Sequence, residues 1–344
     1  MSRFVQLHLL TSYPPSNLNR DDLGRPKTAV VGGANRLRIS SQSLKRAWRT
    51  SELFEATMGD HKGTRTKRIG QEVSSRLRDK GVSEKDANTW AMEIAGCFGK
   101  VKKDDLDIEQ LAHIAPVERS AINALADRLA EEMRPPKPEE LELLRHDTKA
   151  ADIALFGRML ASKPAYNIEA AAQVAHAITV HAAAVDDDYF TAVDDLNTHE
   201  EDAGAAHIGE TGFSAGVFYL YICINRDLLL ENLQGDSDLA NKTLAALLEA
   251  AAKVSPTGKQ NSFASRAYAS YILAELGMQQ PRSLAAAFLK PVQGSDQVRE
   301  AIKVLEQQKK DFDKVYGPCS DHGISLNAVT GEGSLEEMIR FITE

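Results

Sequence analysis

Strand-like segments stand on both sides of a long helical block, and this arrangement restricts the fold more than any other feature. Residues 4–10 alternate apolar and polar side chains, residues 35–40 alternate basic and apolar ones, and residues 215–225 are rich in aromatic and β-branched types. Apolar residues recur at helical spacing in three segments of the block. These segments are residues 84–98, 115–133 and 138–156. The order predicts an α+β fold, a sheet domain interrupted by a helical insertion.

The rest of the chain adds further elements. Pro14 and Pro15 are expected to end the first strand, residues 169–185 are alanine-rich and predict a helix, and residues 189–192 are strand-like. His176 and His181 are five residues apart, whereas a metal-binding pair on a helix favours a spacing of four, so they are interpreted as packed or surface residues. Four segments of the final third predict mostly helix. They are residues 239–254, 283–289, 295–316 and 335–342.

Length and composition limit the class of protein. The 344 residues predict two units or one domain with large insertions, and a hydrophobic fraction of 43% is sufficient for a large core. No apolar run has the length of a membrane span or a secretory signal, so a cytoplasmic location without membrane contact is expected. Cys97, Cys223 and Cys319 are odd in number and lack CxxC spacing, which argues for reduced thiols and against a zinc site.

A basic cluster lies in the acidic chain. Residues 17–50 contain eight Lys or Arg residues and two acids, a local net charge of +6, whereas the whole chain has −8. The basic residues are Arg20, Arg25, Lys27, Arg36, Arg38, Lys45, Arg46 and Arg49. A second basic cluster, formed by Lys62, Arg65, Lys67 and Arg68, is diluted by nearby acids and is interpreted as a solvated face.

The end of the first cluster predicts a helix with two different faces. Ser40 or Ser41 is a good N-cap, and no helix breaker follows before Thr50. One face, about a third of the circumference, is polar and cationic, and the opposite face is apolar. The polar face carries Gln42, Lys45, Arg46 and Arg49, and the apolar face carries Leu44, Ala47 and Trp48. Such a helix suits a polyanion such as a phosphate backbone, although a purely solvated charged face is the alternative.

Ordered motifs give a family resemblance. They are LNRDD at residues 18–22, Lys27, the glycine pair at 32–33, RISSQSLKRAWR at 38–49, DIALFGRM at 152–159, AHAIT at 175–179, FTAVDDL at 190–196, AHIG at 206–209 and FSAGVFY at 213–219. Together they resemble the CasC-type backbone subunit of the type I-E CRISPR Cascade complex. The resemblance covers residues 1 to about 225, and little in the remainder matches.

The resemblance implies a fold and an assembly. It implies an RNA-recognition-motif-like, ferredoxin-like palm at residues 1–57 and 182–344, a helical fingers insertion at 58–181 and a β-hairpin thumb at 193–217. The implied function is a non-catalytic subunit without a cofactor, whose copies form a helical filament along CRISPR RNA and present it for pairing with target DNA. The implied partners are the large, small, CasD-type cap and CasE-type guide-processing subunits of Cascade.

The resemblance also implies contacts for individual residues. Positions that match those holding the guide backbone are Arg20, Lys27, Ser40, Gln42, Lys45, Arg46 and Arg49. Met159 matches a side chain wedged beside a flipped nucleotide, and Phe190, Thr191 and Ile208 match thumb contacts. The chain departs from the family in having Ile208 where leucine is usual and Tyr189 where tryptophan is usual.

Three alternatives remain open at this stage. One is a metal-dependent ribonuclease that uses Asp21–Asp22, Asp186–Asp188 or Asp194–Asp195 as Mg²⁺ ligands, although no nucleophile–base motif or P-loop is present. Another is an RNA-binding scaffold outside immunity. The third concerns Tyr219 and Tyr221, which share one strand face and either stack on bases or pack beneath a second layer.

Overall fold

The computed structural model describes residues 2–103, 105–192 and 207–344, and the side chains of residues 192, 207 and 208 lie outside this description. The chain forms two compact units. The sheet unit comprises Met1–Phe54, Val174–Cys223 and Leu247–Glu344, and the helical unit comprises Glu55–Gln173 and Ile224–Ala246. The predicted division into palm, fingers and thumb stays a prediction, and thumb residues 193–206 lie outside the described residues.

Strands and helices are interspersed along the chain. The strands are β1 Phe4–Ser16, β2 Thr28–Val31, β3 Ala34–Ile39, β4 Thr64–Thr66, β5 Ala112–Ile114, β6 Ala172–Val174, β7 Ala177–Thr179, β8 Asp186–Ala192, β9 His207–Asn225, β10 Ala269–Gly277 and β11 His322–Asn327. The helices are α1 Ser41–Arg49, α2 Glu52–Met58, α3 Ile69–Asp79, α4 Glu84–Gly96, α5 Pro116–Glu132, α6 Ala151–Phe156, α7 Arg226–Asn232, α8 Ser237–Lys253, α9 Gln260–Phe263, α10 Gln297–Tyr316 and α11 Leu335–Thr343. Among the described residues, no helix combines the length and apolar character needed to span a membrane.

A large sheet organises the sheet unit and confirms the predicted α+β class. Its strand order is β11-β10-β1-β9-β7-β3-β2, and the strand pairs with a described register are antiparallel. β8 pairs with the first part of β9 as a hairpin. β1 lies between β10 and β9, and all of its residues from Val5 to Leu10 are buried, so both sides of the strand are covered.

The polar residues of β1 belong to a buried network. His8 lies with Nε2 3.1 Å from Oε2 of Glu275, which also accepts hydrogen bonds from Arg282 and from the Ser320 hydroxyl. Burial lowers the pKa of His8, because a charged imidazole there would lose its hydration. The network explains why a strand that alternates in sequence is buried on both faces.

Of the two strand tyrosines, Tyr219 is buried and Tyr221 is half-buried. Tyr219 lies with its hydroxyl 2.9 Å from Nδ1 of His8, and it accepts a hydrogen bond of 3.0 Å from the Leu284 amide. Tyr221 donates a hydrogen bond of 2.8 Å to Oε1 of Gln6. Both hydroxyls are therefore held by neighbouring elements, and a second packed layer, not base stacking, accounts for this face.

The helical unit has its own core. α3, α4 and α5 pack around buried residues that include Ile94, Leu125 and Leu129. Ser83 caps α4 by accepting a hydrogen bond from the Asp86 amide, and Pro116 begins α5 at a position that needs no N–H donor. The helices predicted at 84–98 and 115–133 are thereby confirmed, as are those at 239–254, 295–316 and 335–342.

Three predicted elements are wrong. Residues 138–156 form a short 3₁₀ turn at Pro138–Leu141 and α6 instead of one helix, and residues 283–289 form only a 3₁₀ turn. The alanine-rich residues 169–185 contain β6 and β7 and no helix. β7 bonds to β3 and β9, and the Thr179 hydroxyl accepts from the Leu37 amide, so sheet pairing overrides local helix propensity.

The first strand also extends further than predicted. β1 continues through Pro14 and Pro15 to Ser16. Its pairing register with β10 ends at Thr11, so the two proline nitrogens interrupt no hydrogen bond of that ladder. The strands predicted at 35–40, 189–192 and 215–225 are confirmed within β3, β8 and β9.

Candidate nucleic-acid interface

Helix α1 has the two predicted faces. Ser40 has extended backbone angles and caps the helix, because its hydroxyl accepts a 3.3 Å hydrogen bond from the Ser43 amide. Leu44, Ala47 and Trp48 are buried in the sheet unit. On the other face, Gln42 and Arg46 are exposed, and Lys45 and Arg49 are half-buried. Burial lowers the pKa of Lys45, a cost that a bound anion would offset.

The loop before β2, residues 17–27, is called the basic loop. Asn17 is buried, and its amide donates hydrogen bonds of 2.9 Å to the carbonyls of Gly24 and Gly212. Asn19 accepts a 2.8 Å hydrogen bond from the Ser40 amide, which joins the loop to the start of α1. Asp21 accepts from the amides of Leu23 and Arg25. These bonds fix the position of Arg20 between Asn19 and Asp21.

The basic loop and α1 border a cavity of about 460 Å³. Its lining residues are Leu18, Asn19, Arg20, Asp21, Asp22, Gly24, Ser43, Arg46, Ala47, Thr50, Thr257 and Gly258. Arg20 and Arg46 are exposed, and neither forms an ion pair with any residue that the structure describes. Two guanidinium groups therefore face one open cavity without a carboxylate partner in the described chain.

A second cavity of about 410 Å³ adjoins the first, since Arg20 and Gly24 line both. Its other lining residues are Leu23, Arg25, Glu210, Thr211, Gly212 and Lys259. The two cavities together are called the basic groove. Its positive charges come from three separate stretches of chain, which are the basic loop, α1 and the stretch that contains Lys259. Only the basic loop and α1 carry residues that were predicted as contacts.

Lys27 lies beside the groove. Its amide donates to the Asn19 carbonyl at 2.9 Å, and its carbonyl accepts from Arg38 at 2.8 Å. Lys27 and Arg38 line a small cleft, and Arg38 also contacts Nδ1 of His176 at 3.0 Å. Burial and the charges of Arg38 and Lys27 lower the pKa of His176. This cleft continues the positive surface of the basic loop.

Two arginines of the basic cluster serve other purposes. Arg36 is fully buried and donates to the carbonyls of Thr179 at 3.1 Å and Phe288 at 2.8 Å, so its charge, counted in the basic cluster, is not at the surface. Burial lowers the pKa of Arg36. Arg25 forms a 2.8 Å ion pair with Asp187 of β8. The charge available to a ligand is therefore smaller than the sequence count.

Met159 lies in the helical unit and is 82% exposed. The preceding Arg158 is buried, and its Nη1 donates hydrogen bonds of 2.8 and 2.9 Å to the two carboxylate oxygens of Glu118. The following Leu160 donates its amide to Asn167 at 2.6 Å and packs into the core. Met159 also lines a cleft of about 270 Å³. An apolar side chain thus projects from backbone that is fixed on both sides.

The β8–β9 hairpin carries the predicted thumb-side residues. Phe190, 42% exposed, pairs with Gly209, whose missing side chain leaves room for the phenyl ring. Thr191 is exposed and pairs with Ile208, whose side chain lies outside the described part. The three residues are adjacent on the hairpin, and their role as thumb contacts stays a prediction.

In each described acidic group, one aspartate has a local partner. Asp21 binds backbone amides and Asp187 pairs with Arg25, whereas Asp194–Asp195 lie outside the described residues. In the described ranges, no three His, Cys, Asp or Glu side chains are grouped closely enough to hold a metal ion.

Several residues of the site escaped sequence reasoning. Asn17 and Asn19 position the basic loop, and Thr257, Gly258 and Lys259 line the groove from a turn in the final third of the chain. Asparagine side chains commonly hydrogen-bond to nearby backbone groups, and the sequence TGKQ at residues 257–260 predicts a turn that carries a lysine. Neither signal indicates which loop the turn contacts.

Comparisons with known proteins agree with the motifs. The chain matches the family described as CT1975-like protein over residues 5–339. A solved structure titled "CRISPR RNA-guided surveillance complex, pre-nicking" contains a chain that is 33% identical, with a TM-score of 0.86 and 99% of each chain covered. Another, titled "CRISPR RNA-guided surveillance complex", is 28% identical, with a TM-score of 0.74 and the same coverage.

No curated protein sequence matches the chain. The family match and the two structures support the resemblance to a Cascade backbone-type subunit that the ordered motifs gave. The family match and the first structural match include the final third of the chain, where little in the sequence resembled the family motifs. The chain belongs to the CT1975-like protein family.

Proposed function

We propose that this protein is a non-catalytic backbone subunit of a type I-E Cascade complex that holds CRISPR RNA by its sugar-phosphate strand in the basic groove. The observation that carries the proposal is the convergence of Arg20 and Arg46 on one open cavity without an ion-pair partner among the described residues. The similarity to chains of CRISPR RNA-guided surveillance complexes supports CRISPR RNA as the bound strand.

The chemistry of the groove suits a strand of arbitrary sequence. Arginine and lysine neutralise phosphates and release condensed counterions, and this contribution to binding does not depend on the bases. Arg20 and Arg46 of the groove and Lys45 and Arg49 on the polar face of α1 are all of this kind, and Gln42 and the Ser40 cap add hydrogen-bonding groups at the start of α1. A subunit that must accept any guide requires binding that is independent of base sequence, because the sequence is read by base pairing with the target.

Met159 supplies a different interaction in this proposal. An exposed apolar side chain can enter between stacked bases without selecting one of them, and unstacking costs a few kcal/mol that phosphate contacts must offset. Phe190, Thr191 and Ile208 of the β8–β9 hairpin would contact the same strand or the neighbouring copy. The guide would then be displayed in short segments for pairing with target DNA.

The proposal includes an assembly. Copies of the chain would form a helical filament along one RNA in the cytoplasm, together with the large, small, CasD-type cap and CasE-type guide-processing subunits. Co-purification tests this part: a short processed RNA and these subunits should accompany the protein from its native host. Their absence would favour an RNA-binding scaffold outside immunity.

The RNA-binding part is tested with the double variant Lys45→Ala/Arg49→Ala and two RNAs of unrelated sequence. We expect affinity to fall by about the same factor for both RNAs, and the dependence on salt to weaken because fewer phosphates are neutralised. Lys303→Ala/Lys310→Ala on α10 is a matched control with the same loss of charge in the same unit. A loss confined to one RNA, or an equal loss in the control, would contradict the proposal.

The non-catalytic part has a separate test. Purified protein is incubated with guide and target RNA in Mg²⁺ and, in parallel, in a chelator. We expect both RNAs to stay intact in both. Cleavage that the chelator suppresses would instead identify a metal-dependent ribonuclease.

A further inference from the structure

A turn from the final third of the chain closes one side of the basic groove. Thr257 and Gly258 line the cavity that contains Arg20 and Arg46, and Lys259 lines the adjoining cavity with Arg20 and Arg25. The turn therefore lies along the same groove as the basic loop, although more than two hundred residues separate them in sequence. The predicted phosphate contacts include none of these three residues.

The turn is anchored against the basic loop. A Cβ atom at Gly258 would lie 2.3 Å from the carbonyl oxygen of Leu18 and 2.6 Å from that of Asn17, so only glycine permits this approach. On one side of the turn, the Ser255 hydroxyl accepts a 3.0 Å hydrogen bond from the Ala267 amide. On the other side, the Phe263 ring lies 5.9 Å from that of Phe213 on β9. Lys259 is thus held between two fixed points.

Lys259 itself has an unusual backbone conformation. Its φ is +48° and its ψ is +30°, in the left-handed region that side chains other than glycine, asparagine and aspartate rarely adopt. Strain of this kind occurs where the surrounding structure imposes it, and it is concentrated at functional sites. Here the contacts of Gly258 and Phe263 impose it, and the result is a lysine placed at the groove.

The charges of the second cavity favour an anion. Arg25 is partly neutralised by Asp187 at 2.8 Å and lies 4.0 Å from Glu210. Arg20 and Lys259 form no ion pair within the part of the chain that the structure describes. Two cations from distant parts of the sequence, neither in a described ion pair, thus line one cavity whose lining contains a single acid, Glu210.

We propose that Lys259 binds a phosphate of the same RNA strand as Arg20, and that the Thr257–Lys259 turn forms the second wall of the phosphate-binding groove. This inference rests on the proposed function. It extends the RNA-binding surface from the N-terminal motifs to the final third of the chain. The ligand class is a phosphodiester backbone, recognised by charge and without base selection.

The test uses Lys259→Asn, because asparagine tolerates the left-handed conformation and the change removes the charge without new strain. Binding of the full chain to single-stranded RNA is measured over a series of salt concentrations. We expect affinity to fall about three- to tenfold, and the slope of log affinity against log salt to decrease by about 0.7, the value for one lost phosphate contact on a single strand.

Two further variants make the result decisive. Lys310→Asn on α10 removes the same charge away from the groove and should leave both the affinity and the slope unchanged. Lys259→Arg should keep the slope of the wild type. Equal behaviour of Lys259→Asn and Lys310→Asn would overturn the proposal while the proposed function stood, provided that Arg46→Ala weakened binding. Failure of the wild type to bind RNA would overturn both.

Discussion

Three arginines of the helical unit and two arginines of the basic groove differ in whether they have a carboxylate partner. In the helical unit, Arg76 pairs with Asp127 at 2.6 Å, Arg119 with Glu72 at 2.5 Å and Arg158 with Glu118 at 2.8 Å. Around the basic groove of the sheet unit, Arg20 and Arg46 have no ion-pair partner among the described residues. The same residue type is therefore paired at these positions of the helical unit and available to a ligand at these two positions of the basic groove.

The comparison shows that a count of basic residues does not locate a polyanion site. A paired arginine has its charge largely cancelled, and a phosphate would have to displace the carboxylate before binding. The pairing is visible at Asp127, because its hydrogen bond with Arg76 lowers the pKa of the carboxyl group to about 2. Lys62 of the second basic cluster likewise pairs with Glu55, whereas the solvated-face interpretation of that cluster stays a prediction.

The largest effect is expected at the buried pair of the helical unit. Arg158→Ala leaves Glu118 buried without its partner, and we expect the free energy of unfolding to fall by about 3–5 kcal/mol. Denaturant unfolding measures it. Arg128→Ala removes an exposed ion pair with Glu140 and should cost less than about 1 kcal/mol. Similar costs for the two variants would break the distinction between buried and surface pairs.

RNA binding compares the two units directly. Arg20→Ala/Arg46→Ala should lower affinity for single-stranded RNA by about ten- to a hundredfold, because two phosphate contacts are lost. Arg76→Ala/Arg119→Ala removes the same charge from paired positions and should leave RNA affinity nearly unchanged. Fluorescence anisotropy measures both. A comparable loss in both double variants would show that total charge, and not the groove, determines binding.

The pH dependence of the free energy of unfolding tests a buried cluster of the sheet unit, the one around His8, whose charges neutralise one another. Burial lowers the pKa of His8 below its ordinary 6.5, while Glu275, Arg282 and Lys309 also face the site. The unfolded chain gains a proton as pH falls below 6.5, but folded His8 resists it. The stability that neutral His8 contributes is therefore fully present above pH 6.5. It is lost as the pH falls toward the lowered pKa, by at most about 1.4 kcal/mol per pH unit.

Denaturant midpoints between pH 8 and pH 5 measure this decline, at values chosen around the ordinary pKa of 6.5. His8→Gln removes the titrating group, so the difference between wild type and variant should become smaller as the pH falls. A pH-independent difference would show that His8 does not titrate in this range on unfolding.

The smallest effect on stability is expected at Met159. Because its side chain is 82% exposed, Met159→Ala should change the free energy of unfolding by less than about 0.5 kcal/mol. Leu160→Ala, one residue on and 3% exposed, should cost about 2–5 kcal/mol. In a bound RNA that contains 2-aminopurine, Met159→Ala should reduce the fluorescence that reports unstacked bases. Unchanged fluorescence would remove Met159 from the interface.

Local patterns predicted much of the fold. The periodicity of apolar residues gave α4, α5, α8, α10 and α11, and the alternation or β-branched content gave β3 and most of β9. The N-cap at Ser40 and the two faces of α1 follow from the nearest neighbours in sequence, so they were also correct. Patterns failed at residues 169–185, where alanine content favoured helix but pairing with β3 and β9 imposed strands.

The sequence by itself determined which residues could face a phosphate strand from α1 and the basic loop, because helix period and capping are local properties. Only the tertiary structure decided that Arg36 is buried, that Arg25 meets Asp187 and that Lys259 reaches the same groove as Arg20. Burial and ion pairing depend on residues far apart in the chain, and no local pattern encodes them.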